Sequence, residues 1–433
     1  MKKKELIDKR IEILKSYFDK INVIDDTISQ RYFSDTIIEA FRKNFEEKLN
    51  SNENKHYEFY DLFAGAGGLS LGLEANGFEP KVVIDNYKEA NETYLFNRIK
   101  FDESNLISDD IRKVDLGLFE NIPLVVGGPP CQGFSNANKQ RKDDDERNIL
   151  YKFFVKTVKA ASPPIFLMEN VVGILPYKEQ IVNDFNEVGY CTKVYRFNTK
   201  SFGFPQHRER VFFLGINKNL KSIHSELFEI FSNIDIVKNI YYSLSDAISD
   251  LPELSAKTQR NATYNESAEW GYTFGKLFMN NHTYTPLINN KQKFIFPLLN
   301  HKSKFNNERD IEIYSILQQG EKSDSPRINH INPYKNRNNI FKDKFFKLAY
   351  TEVSKTITAH MYYDCHMYIH PTQARGLTPR EAARIQGFPD DYLFLGSPNE
   401  WYRQIGNAVS PIMAKRIGAK LKLMLDRIYN EGI

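Results

Sequence analysis

From residue 57 onward, short apolar runs alternate with segments long enough to form helices, and this alternation constrains the fold more than any other feature. The runs cover residues 59–63, 81–84, 124–126, 165–168 and 211–216. Strands of this length, separated by helix-sized segments, predict a parallel sheet with helices on both faces. The pattern fades after about residue 252. It returns in residues 375–388 and in a predicted final helix over 412–428.

Residues 1–50 predict two helices that precede this pattern. Apolar residues recur at helical spacing in two stripes, Ile7, Ile11, Leu14, Phe18 and Ile21, then Ile38, Phe41, Phe45 and Leu49. Ser34 is the expected N-cap of the second helix, and the polar residues 51–55 predict a linker. The stripes favour a packing extension. A small DNA-contacting or dimerising module is the alternative.

The composition excludes several classes of protein. A length of 433 residues suggests about two or three domains, and 59 Lys and Arg against 55 Asp and Glu leave a net charge of +4. Three cysteines, Cys131, Cys191 and Cys365, are too few for a disulfide scaffold. They form no CxxC pair of the kind that would predict a zinc site. No apolar stretch predicts a membrane span, and the start lacks a secretory signal. Free cysteines without a signal predict a reducing cytoplasm.

A glycine-rich loop, Asp-Leu-Phe-Ala-Gly-Ala-Gly-Gly-Leu-Ser, joins a predicted strand to a helix at residues 61–70. Glycines there allow a tight turn and close approach to a nucleotide-like ligand, although a turn without a ligand is the alternative. Asp85 ends the next strand, where a carboxylate would accept hydrogen bonds from ribose hydroxyls. Asp110 follows a candidate third strand and could accept one from an adenine amino group. Ser70 replaces the third glycine of a dinucleotide fingerprint, which favours S-adenosylmethionine over NAD.

Two further motifs follow predicted strands. Gly-Gly-Pro-Pro-Cys-Gln-Gly-Phe-Ser occupies residues 127–135, and ligands of open α/β sheets bind at such strand ends. Cys131 is therefore a nucleophile candidate, held in a loop rather than a core. Glu169, within Met-Glu-Asn-Val, can act as an acid if burial raises its pKa, and helix capping is the alternative. Cys191 and Cys365 lack such a setting and are predicted to be inert.

The order of these motifs resembles the DNA cytosine-5 methyltransferase family. This sequence contains the Phe-x-Gly-x-Gly loop, Pro-Pro-Cys-Gln and Glu-Asn-Val in the same order as that family. Residues 206–210 resemble its Gln-x-Arg-x-Arg element, residues 375–389 its late block, and residues 404–409 its last element. Six ordered motifs cover about residues 57–420, apart from the variable stretch 253–350.

The resemblance implies an α/β fold, a doubly wound, Rossmann-like S-adenosylmethionine-dependent methyltransferase sheet with a second, smaller target-recognition domain. The expected parts are a helical N-terminal extension (1–56), a catalytic cofactor-binding domain (57–252), a target-recognition domain (253–370), and late motifs with a C-terminal helix that returns to the catalytic domain (371–433). The implied activity is methylation of carbon 5 of cytosine within a specific double-stranded DNA sequence, in a bacterial restriction–modification system. A monomer is expected, and a cognate restriction endonuclease that acts on the same sites without needing to bind.

The resemblance also implies the roles of individual residues. Cys131 is expected to attack carbon 6 of a flipped cytosine, and Glu169 to handle a proton at N3. Arg208 is expected near the carbonyl oxygen of the base, with Arg210 as a second positive fork. Cofactor contacts are expected from Phe63, Gly65, Gly67, Asp85, Asp110, Pro130 and Asn407. DNA contacts are expected from Gln132, Ser135, Arg141, Gln206, Thr358 and Arg375. Asp85 stands where the family usually carries Glu, for which a modest geometric change is expected.

Charge and loop composition agree with a DNA substrate. Residues 291–350 hold 12 Lys or Arg against 6 Asp or Glu, interleaved with Phe, Tyr and Asn. The polar residues 136–148 could close over a flipped base. Three alternatives are weaker: a tRNA cytosine-5 methyltransferase, a non-catalytic DNA-binding regulator and a nicotinamide dehydrogenase. The long variable segment counts against the tRNA enzyme, and the intact Cys131 and Glu169 count against the non-catalytic regulator. Ser70 counts against the dehydrogenase.

Overall fold

A computed structural model describes most of the chain, namely residues 3–24, 30–51, 57–130, 150–234, 236, 241–260, 263–279, 284–289, 295–337 and 344–430. Its strands are β1 (Asn22–Val23), β2 (Tyr57–Leu62), β3 (Phe78–Ile84), β4 (Leu106–Ile107), β5 (Leu124–Gly127), β6 (Ile165–Asn170), β7 (Tyr190–Asn198), β8 (Glu209–Asn217), β9 (Asn265–Glu266), β10 (Gly271–Met279) and β11 (Ile295–Lys302). Its helices are α1 (Lys3–Phe18), α2 (Gln30–Asn50), α3 (Gly68–Glu74), α4 (Lys88–Asn97), α5 (Leu150–Ala161), α6 (Lys178–Glu187), α7 (His224–Ser232), α8 (Leu244–Ile248), α9 (Thr285–Ile288), α10 (Glu308–Ile316), α11 (Pro379–Gln386), α12 (Pro398–Asn407) and α13 (Pro411–Asn430). Across these ranges, none of the helices combines the length and apolar composition that a membrane crossing requires.

The central sheet has the strand order β4-β3-β2-β5-β6-β8-β7. The pairs from β4 to β6 are parallel, whereas β8 runs antiparallel to both of its neighbours. The doubly wound fold is thus confirmed, but the expectation of a wholly parallel sheet was wrong at β8. Residues 199–208 join β7 to β8, and a parallel pair needs a crossover of about a dozen or more residues.

The strand order also fixes where a ligand can bind. The chain begins in the middle at β2, adds β3 and β4 on one side, and then crosses to place β5 and β6 on the other. The order therefore reverses between β2 and β5, and their carboxyl ends border the crevice that such sheets use for ligands. Alternate strand residues face two separate apolar clusters, with Phe59 and Leu124 in one and Tyr60 and Val125 in the other.

The C-terminal helix packs on the catalytic sheet, and the predicted final helix is confirmed as α13. Its close approach to α3 depends on Gly72, where an added Cβ would lie 2.4 Å from the Pro411 carbonyl oxygen. At its far end, the Tyr57 hydroxyl donates to Asp426 Oδ1 at 2.8 Å. The last motif is thereby brought back beside the loop that follows β2.

The N-terminal residues form the two predicted helices, and their apolar stripes are buried within the chain. Ile11, Leu14 and Phe18 of α1 join one cluster with Tyr272 and Leu393. A packing role is therefore confirmed for the stripes. Ser34 was wrongly predicted as an N-cap, because α2 already begins at Gln30 and Ser34 lies inside the helix.

The late block forms α11, which begins at a capping box between Thr378 and Glu381 and ends at Gly387 with φ 92°. Arg375 is fully buried in front of this helix, and its guanidinium makes two bonds to Glu381 at 2.8 and 2.7 Å. Its Nε also bonds to the Leu254 carbonyl oxygen. The expected DNA contact by Arg375 is therefore wrong, since the group is enclosed and saturated with internal partners.

Replacing Arg375 with Ala should destabilise the fold, because Glu381 would remain buried without its cation. Breaking such a pair typically costs about 3–5 kcal/mol, which denaturant unfolding would measure. Arg327→Ala is the matched control. Arg327 is exposed beside Glu321, and such surface pairs are worth about 0–1 kcal/mol. Unchanged stability in Arg375→Ala together with weaker DNA binding would return the residue to the DNA surface.

Candidate active site

The loop after β2 is held in an unusual backbone conformation. Phe63, Gly65 and Gly67 all have positive φ, at 60°, 56° and 76°. A Cβ added to Gly65 would meet nothing within 4 Å, so glycine is favoured there by the backbone and the adjacent space is open. Phe63 is half-buried, and its left-handed φ strains the backbone. Strained backbone conformations of this kind cluster at ligand sites.

Two side chains that were not predicted from the sequence hold this loop through hydrogen bonds to its backbone carbonyl oxygens. Arg98 donates to the Gly67 carbonyl oxygen at 2.8 Å, and the Tyr392 hydroxyl donates to the Ala66 carbonyl oxygen at 2.5 Å. Arg98 also forms a two-oxygen ion pair with Glu74. Arginine and tyrosine 294 positions apart carry no local motif, so only the fold reveals their shared role.

Beneath the same loop lies a buried polar chain. The Ser70 hydroxyl donates to Asp61 Oδ2 at 2.6 Å and lies 2.9 Å from the Tyr94 hydroxyl. Asp61 Oδ1 is buried and has no hydrogen-bond partner among the described residues. Burial raises the pKa of Asp61 to about 7, partly opposed by the Ser70 hydrogen bond.

Asp85 follows β3 and Asp110 follows β4, and both carboxylates already have partners inside the protein. Asp85 Oδ2 accepts from the Gly65 amide at 2.8 Å, and Oδ1 accepts from the Tyr87 amide at 2.7 Å. Burial raises the pKa of Asp85 to about 6. The pKa of Asp110 is lowered, because Asp110 pairs with Arg112. Each carboxylate oxygen can accept a second bond, so these contacts leave capacity for ligand hydroxyl or amino groups.

The last motif touches the glycine loop. A Cβ added to Gly68 would lie 2.2 Å from the Val409 carbonyl oxygen, so the two segments are in backbone contact. Asn407 ends α12 two residues earlier and has an exposed side chain. This proximity supports a cofactor contact by Asn407 that the sequence could argue only from the resemblance.

Glu169 ends β6 beside the start of the Pro-Pro-Cys loop. Its Oε1 pairs with Arg210 Nε at 2.8 Å, and its Oε2 lies 3.1 Å from where a Cβ of Gly128 would stand. Burial raises the pKa of Glu169, although Arg210 and then Arg208 oppose the shift. A carboxyl in this setting retains a proton to higher pH than an exposed one.

Asn170 ties the Pro-Pro-Cys loop to β6. Its Nδ2 donates to the Pro129 carbonyl oxygen at 3.1 Å, and its Oδ1 accepts from the Val171 amide at 2.8 Å. Pro130 is exposed at the end of a described segment. The expected site residues Cys131, Gln132, Ser135 and Arg141, like the predicted closing loop 136–148, lie outside the described residues.

Arg208, which the resemblance places near the carbonyl oxygen of the base, has partners inside the protein for both ends of its guanidinium. It is fully buried, and its terminal nitrogens donate to the carbonyl oxygens of Ile357, Gly406 and Ala408 at 2.7, 3.2 and 2.8 Å. Burial lowers its pKa. Both ends of its fork are therefore committed to the backbone, whereas Arg210 contacts Glu169 directly.

Gln206 was wrongly predicted to contact DNA. It is completely buried, its Nε2 donates to Gln386 Oε1 at 2.7 Å, and its Oε1 accepts from the Ile357 amide at 3.0 Å. Thr358 follows Ile357, is half-buried and lies 2.9 Å from the Tyr368 hydroxyl, so its predicted DNA contact stays a prediction. Cys365 is buried and its pKa is raised to about 11, as suits an inert thiol.

The basic stretch 291–350 exposes less charge than its composition indicates. Lys302 is buried against Glu266, Lys347 donates to the Tyr314 carbonyl oxygen, and Lys304 bonds to the Tyr362 carbonyl oxygen. These amino groups therefore have partners inside the protein and are not available at its surface. Lys322, Arg327 and Lys335 remain exposed for contact with phosphates.

The chain is similar in sequence and in fold to proteins described as methyltransferases. A family model for C-5 cytosine-specific DNA methylases matches residues 57–423. The type II methyltransferase M.DdeI of Desulfomicrobium norvegicum is 31% identical over 397 residues, which cover 85% of this chain and 89% of the relative. M.Bpa9945I of Bacillus paralicheniformis is 32% identical over 451 residues, with 84% and 98% covered. A solved E. coli prophage protein, described as a candidate DNA modification methyltransferase, is similar with a TM-score of 0.64 and 28% identity, over 86% and 100% of the two chains.

The buried Asp61 predicts a pH-dependent stability difference. Because its pKa is raised from 3.8 to about 7, its stabilisation is complete below about pH 4 and is lost as the pH rises through 7. Asn mimics the neutral acid, so the stability of Asp61→Asn relative to wild type should improve by up to about 4 kcal/mol over this range.

Unfolding curves of both proteins from pH 4 to 8 measure this difference. Asp109→Asn is the control, because Lys113 lowers the pKa of that exposed carboxylate below 3.8, so the stability difference for this variant should stay nearly constant from pH 4 to 8. A pH-independent difference for Asp61→Asn would mean that the buried carboxyl keeps an ordinary pKa.

Proposed function

The chain belongs to the C-5 cytosine-specific DNA methylase family, and from that premise we propose how its residues methylate cytosine within a specific double-stranded DNA sequence. It is a DNA cytosine-5 methyltransferase of the restriction–modification type. The observation that carries the proposal is the pairing of Glu169 with Arg210 directly beside Gly128. Cys131 follows Gly128 by three residues, which supports a nucleophile and an acid that act on one base.

The proposed reaction begins with the Cys131 thiolate, which forms a bond to carbon 6 of the cytosine. Aromaticity is lost, negative charge moves toward N3, and carbon 5 becomes nucleophilic. Glu169 shares a proton with N3, a task suited to a carboxyl whose pKa is raised by burial. After carbon 5 gains its methyl group, a water molecule accepts the proton of carbon 5, and the electron pair left behind re-forms the carbon 5–carbon 6 double bond. The carbon 6–sulfur bond breaks, the Cys131 thiolate leaves, and N3 returns its proton to Glu169.

Arg210 is the better candidate for the arginine beside the base. Its Nε holds Glu169, and its side chain keeps 13% of its surface accessible, whereas Arg208 is enclosed by backbone carbonyls. A positive group at this position orients the Glu169 carboxyl and stabilises charge that develops on the base. We therefore assign the catalytic role to Arg210 and a supporting role to Arg208.

The loop after β2 suits S-adenosylmethionine, the methyl donor that the family implies. The open space beside Gly65 leaves room for a ligand, and Asp85, Asp110 and Asn407 would offer oxygen and amide groups to its ribose and adenine. Phe63, Gly67 and Pro130 complete the proposed set. When bound, this group supplies an electrophilic methyl. The chain's own task is to hold it at the switch point between β2 and β5.

The DNA substrate must present its cytosine outside the stack, because a thiolate cannot reach carbon 6 within a duplex. Flipping costs a few kcal/mol, and we propose that residues 253–370 offset it through contacts that also select the sequence. Lys322, Arg327 and Lys335 are exposed there. We further propose action as a monomer, with a cognate restriction endonuclease that shares the sites without needing to bind.

The covalent step can be tested with DNA that carries 5-fluorocytosine at the target position. Fluorine replaces the hydrogen of carbon 5, so no proton can leave after methyl transfer and elimination should stop. The protein should then stay bonded to DNA through Cys131 when S-adenosylmethionine is present. Cys131→Ser should form almost no adduct, and Glu169→Gln should form it about 10²–10⁴-fold more slowly. Denaturing gels and peptide mapping would measure both.

Cys191→Ser is the matched control and should form the adduct at the wild-type rate. Attachment at Cys191 or Cys365, or turnover without any adduct, would overturn the mechanism. Unmodified tRNA tested alongside should be a far poorer substrate than DNA.

Asp110→Ala should weaken S-adenosylmethionine binding by about 1–3 kcal/mol, because it removes one hydrogen-bond acceptor for adenine. Titration calorimetry measures the loss. Asp109→Ala is the control, since this neighbour is exposed and pairs with Lys113. Equal affinities for the two variants would remove Asp110 from the cofactor site.

A further inference from the structure

Residues 3–50 lie outside the family match, which begins at residue 57, yet they are built into the body of the protein. The buried apolar side chains of α1 and α2 pack against the same chain, including Tyr272 and Leu299. Buried inside one chain, these stripes cannot supply a dimer surface. The question is which parts of the molecule the extension joins.

One set of contacts reaches the hairpin formed by β10 and β11. The ring of Phe18 lies 4.9 Å from that of Phe274 in β10, and the ring of Phe41 lies 6.4 Å from it. These three aromatic side chains are almost completely buried. The extension therefore supplies part of the hairpin's own core.

A second tie to the hairpin runs through the backbone. β1 pairs in parallel with β9, and the Ile24 amide donates to the Glu266 carbonyl oxygen at 2.8 Å. The side chain of Glu266 continues the connection, because it accepts from the Thr273 amide of β10 and pairs with Lys302 of β11 at 3.6 Å. Both strands of the hairpin are thus joined to β1 through one buried carboxylate.

The other contacts reach the catalytic part of the chain. Phe41 and Phe45 pack edge-on against Phe96 of α4, with ring centres 5.7 and 5.5 Å away. Arg10 is buried and pairs with Glu103 at 2.9 Å. Phe96 lies at the carboxyl end of α4, the helix that follows Asp85, so the extension is anchored to an element of the catalytic part of the chain.

We propose that residues 3–50 are a brace that sets the position of the β10–β11 hairpin relative to the catalytic centre and so determines sequence selectivity. The proposal rests on the assignment of residues 253–370 to target recognition. A sequence-reading surface discriminates only while its side chains stay within bonding distance of the base edges, so a displaced hairpin should weaken DNA binding and discrimination rather than the chemical step at Cys131. A hairpin of two strands is marginal alone, so it depends on what packs against it.

Phe18→Ala tests the brace, because it removes the ring that touches Phe274 and leaves every proposed catalytic residue in place. With a duplex that carries the sequence methylated by the wild-type enzyme, mapped by bisulfite sequencing, the KM for DNA should rise about 3- to 30-fold. Discrimination against duplexes with one changed base pair should fall by a similar factor. The kcat and the affinity for S-adenosylmethionine should stay within about twofold.

Phe18→Leu keeps an apolar side chain but removes the ring that touches Phe274, so it should show a smaller loss of discrimination in the same direction. If the Ala variant fails to fold, this intermediate loss decides the test, and wild-type discrimination in Phe18→Leu would overturn the brace. Ser16→Ala, on the exposed side of α1, is the matched control. In Phe18→Ala, hydrogen exchange should quicken in β10 and stay unchanged in β2 and β5.

A merely structural role would lower the melting temperature of the folded variants but leave KM and discrimination at wild-type values, and that result would overturn the brace. Failure of the proposed function has a different signature, namely wild-type protein that methylates no DNA. A normal wild-type enzyme with an unaffected Phe18→Ala variant would sink the brace alone.

Discussion

The arrangement of the active site depends on the guanidinium of Arg208. This one buried group binds the carbonyl oxygens of Ile357, Gly406 and Ala408, which lie 149 to 200 positions further along the chain. It thereby joins the end of the sheet to the segment before Thr358 and to the last motif. Backbone carbonyls buried without a partner cost about 1–3 kcal/mol each, so no smaller or neutral side chain could replace this fork.

The consequences of this clamp extend to the loop after β2. Once Ala408 is fixed, the Val409 carbonyl oxygen meets the backbone at Gly68, which has no room for a side chain. The same loop is held on its other side by Arg98 through Gly67. The loop is therefore preorganised from two directions, and its strained φ values can persist without a ligand.

Desolvation at the sheet edge accounts for the protonation behaviour of the site. Asp61, Asp85 and Glu169 lie on or directly after three strands of one sheet, and burial raises the pKa of each. Their partners differ: a hydroxyl for Asp61, backbone amides for Asp85 and a guanidinium for Glu169. Of these three carboxyls, only Glu169 lies beside the loop that leads to Cys131, which is why the proposed mechanism uses this one.

Sequence reasoning located the motifs well, because a loop at the end of an apolar strand is a local property. It placed Glu169 and the glycine loop on the correct strand ends, but it missed β7, an edge strand in which most residues are only partly buried. It also mistook Gln206 and Arg375 for DNA contacts. Polar residue type alone does not distinguish a side chain that meets a substrate from one that meets its own backbone, since the partners of Gln206 lie about 150 to 180 positions away. The internal partners of each arginine separate them better: both terminal nitrogens of Arg208 bind backbone carbonyls, whereas Arg210 keeps accessible surface beside Glu169, which is why we propose Arg210 as the arginine that acts on the base.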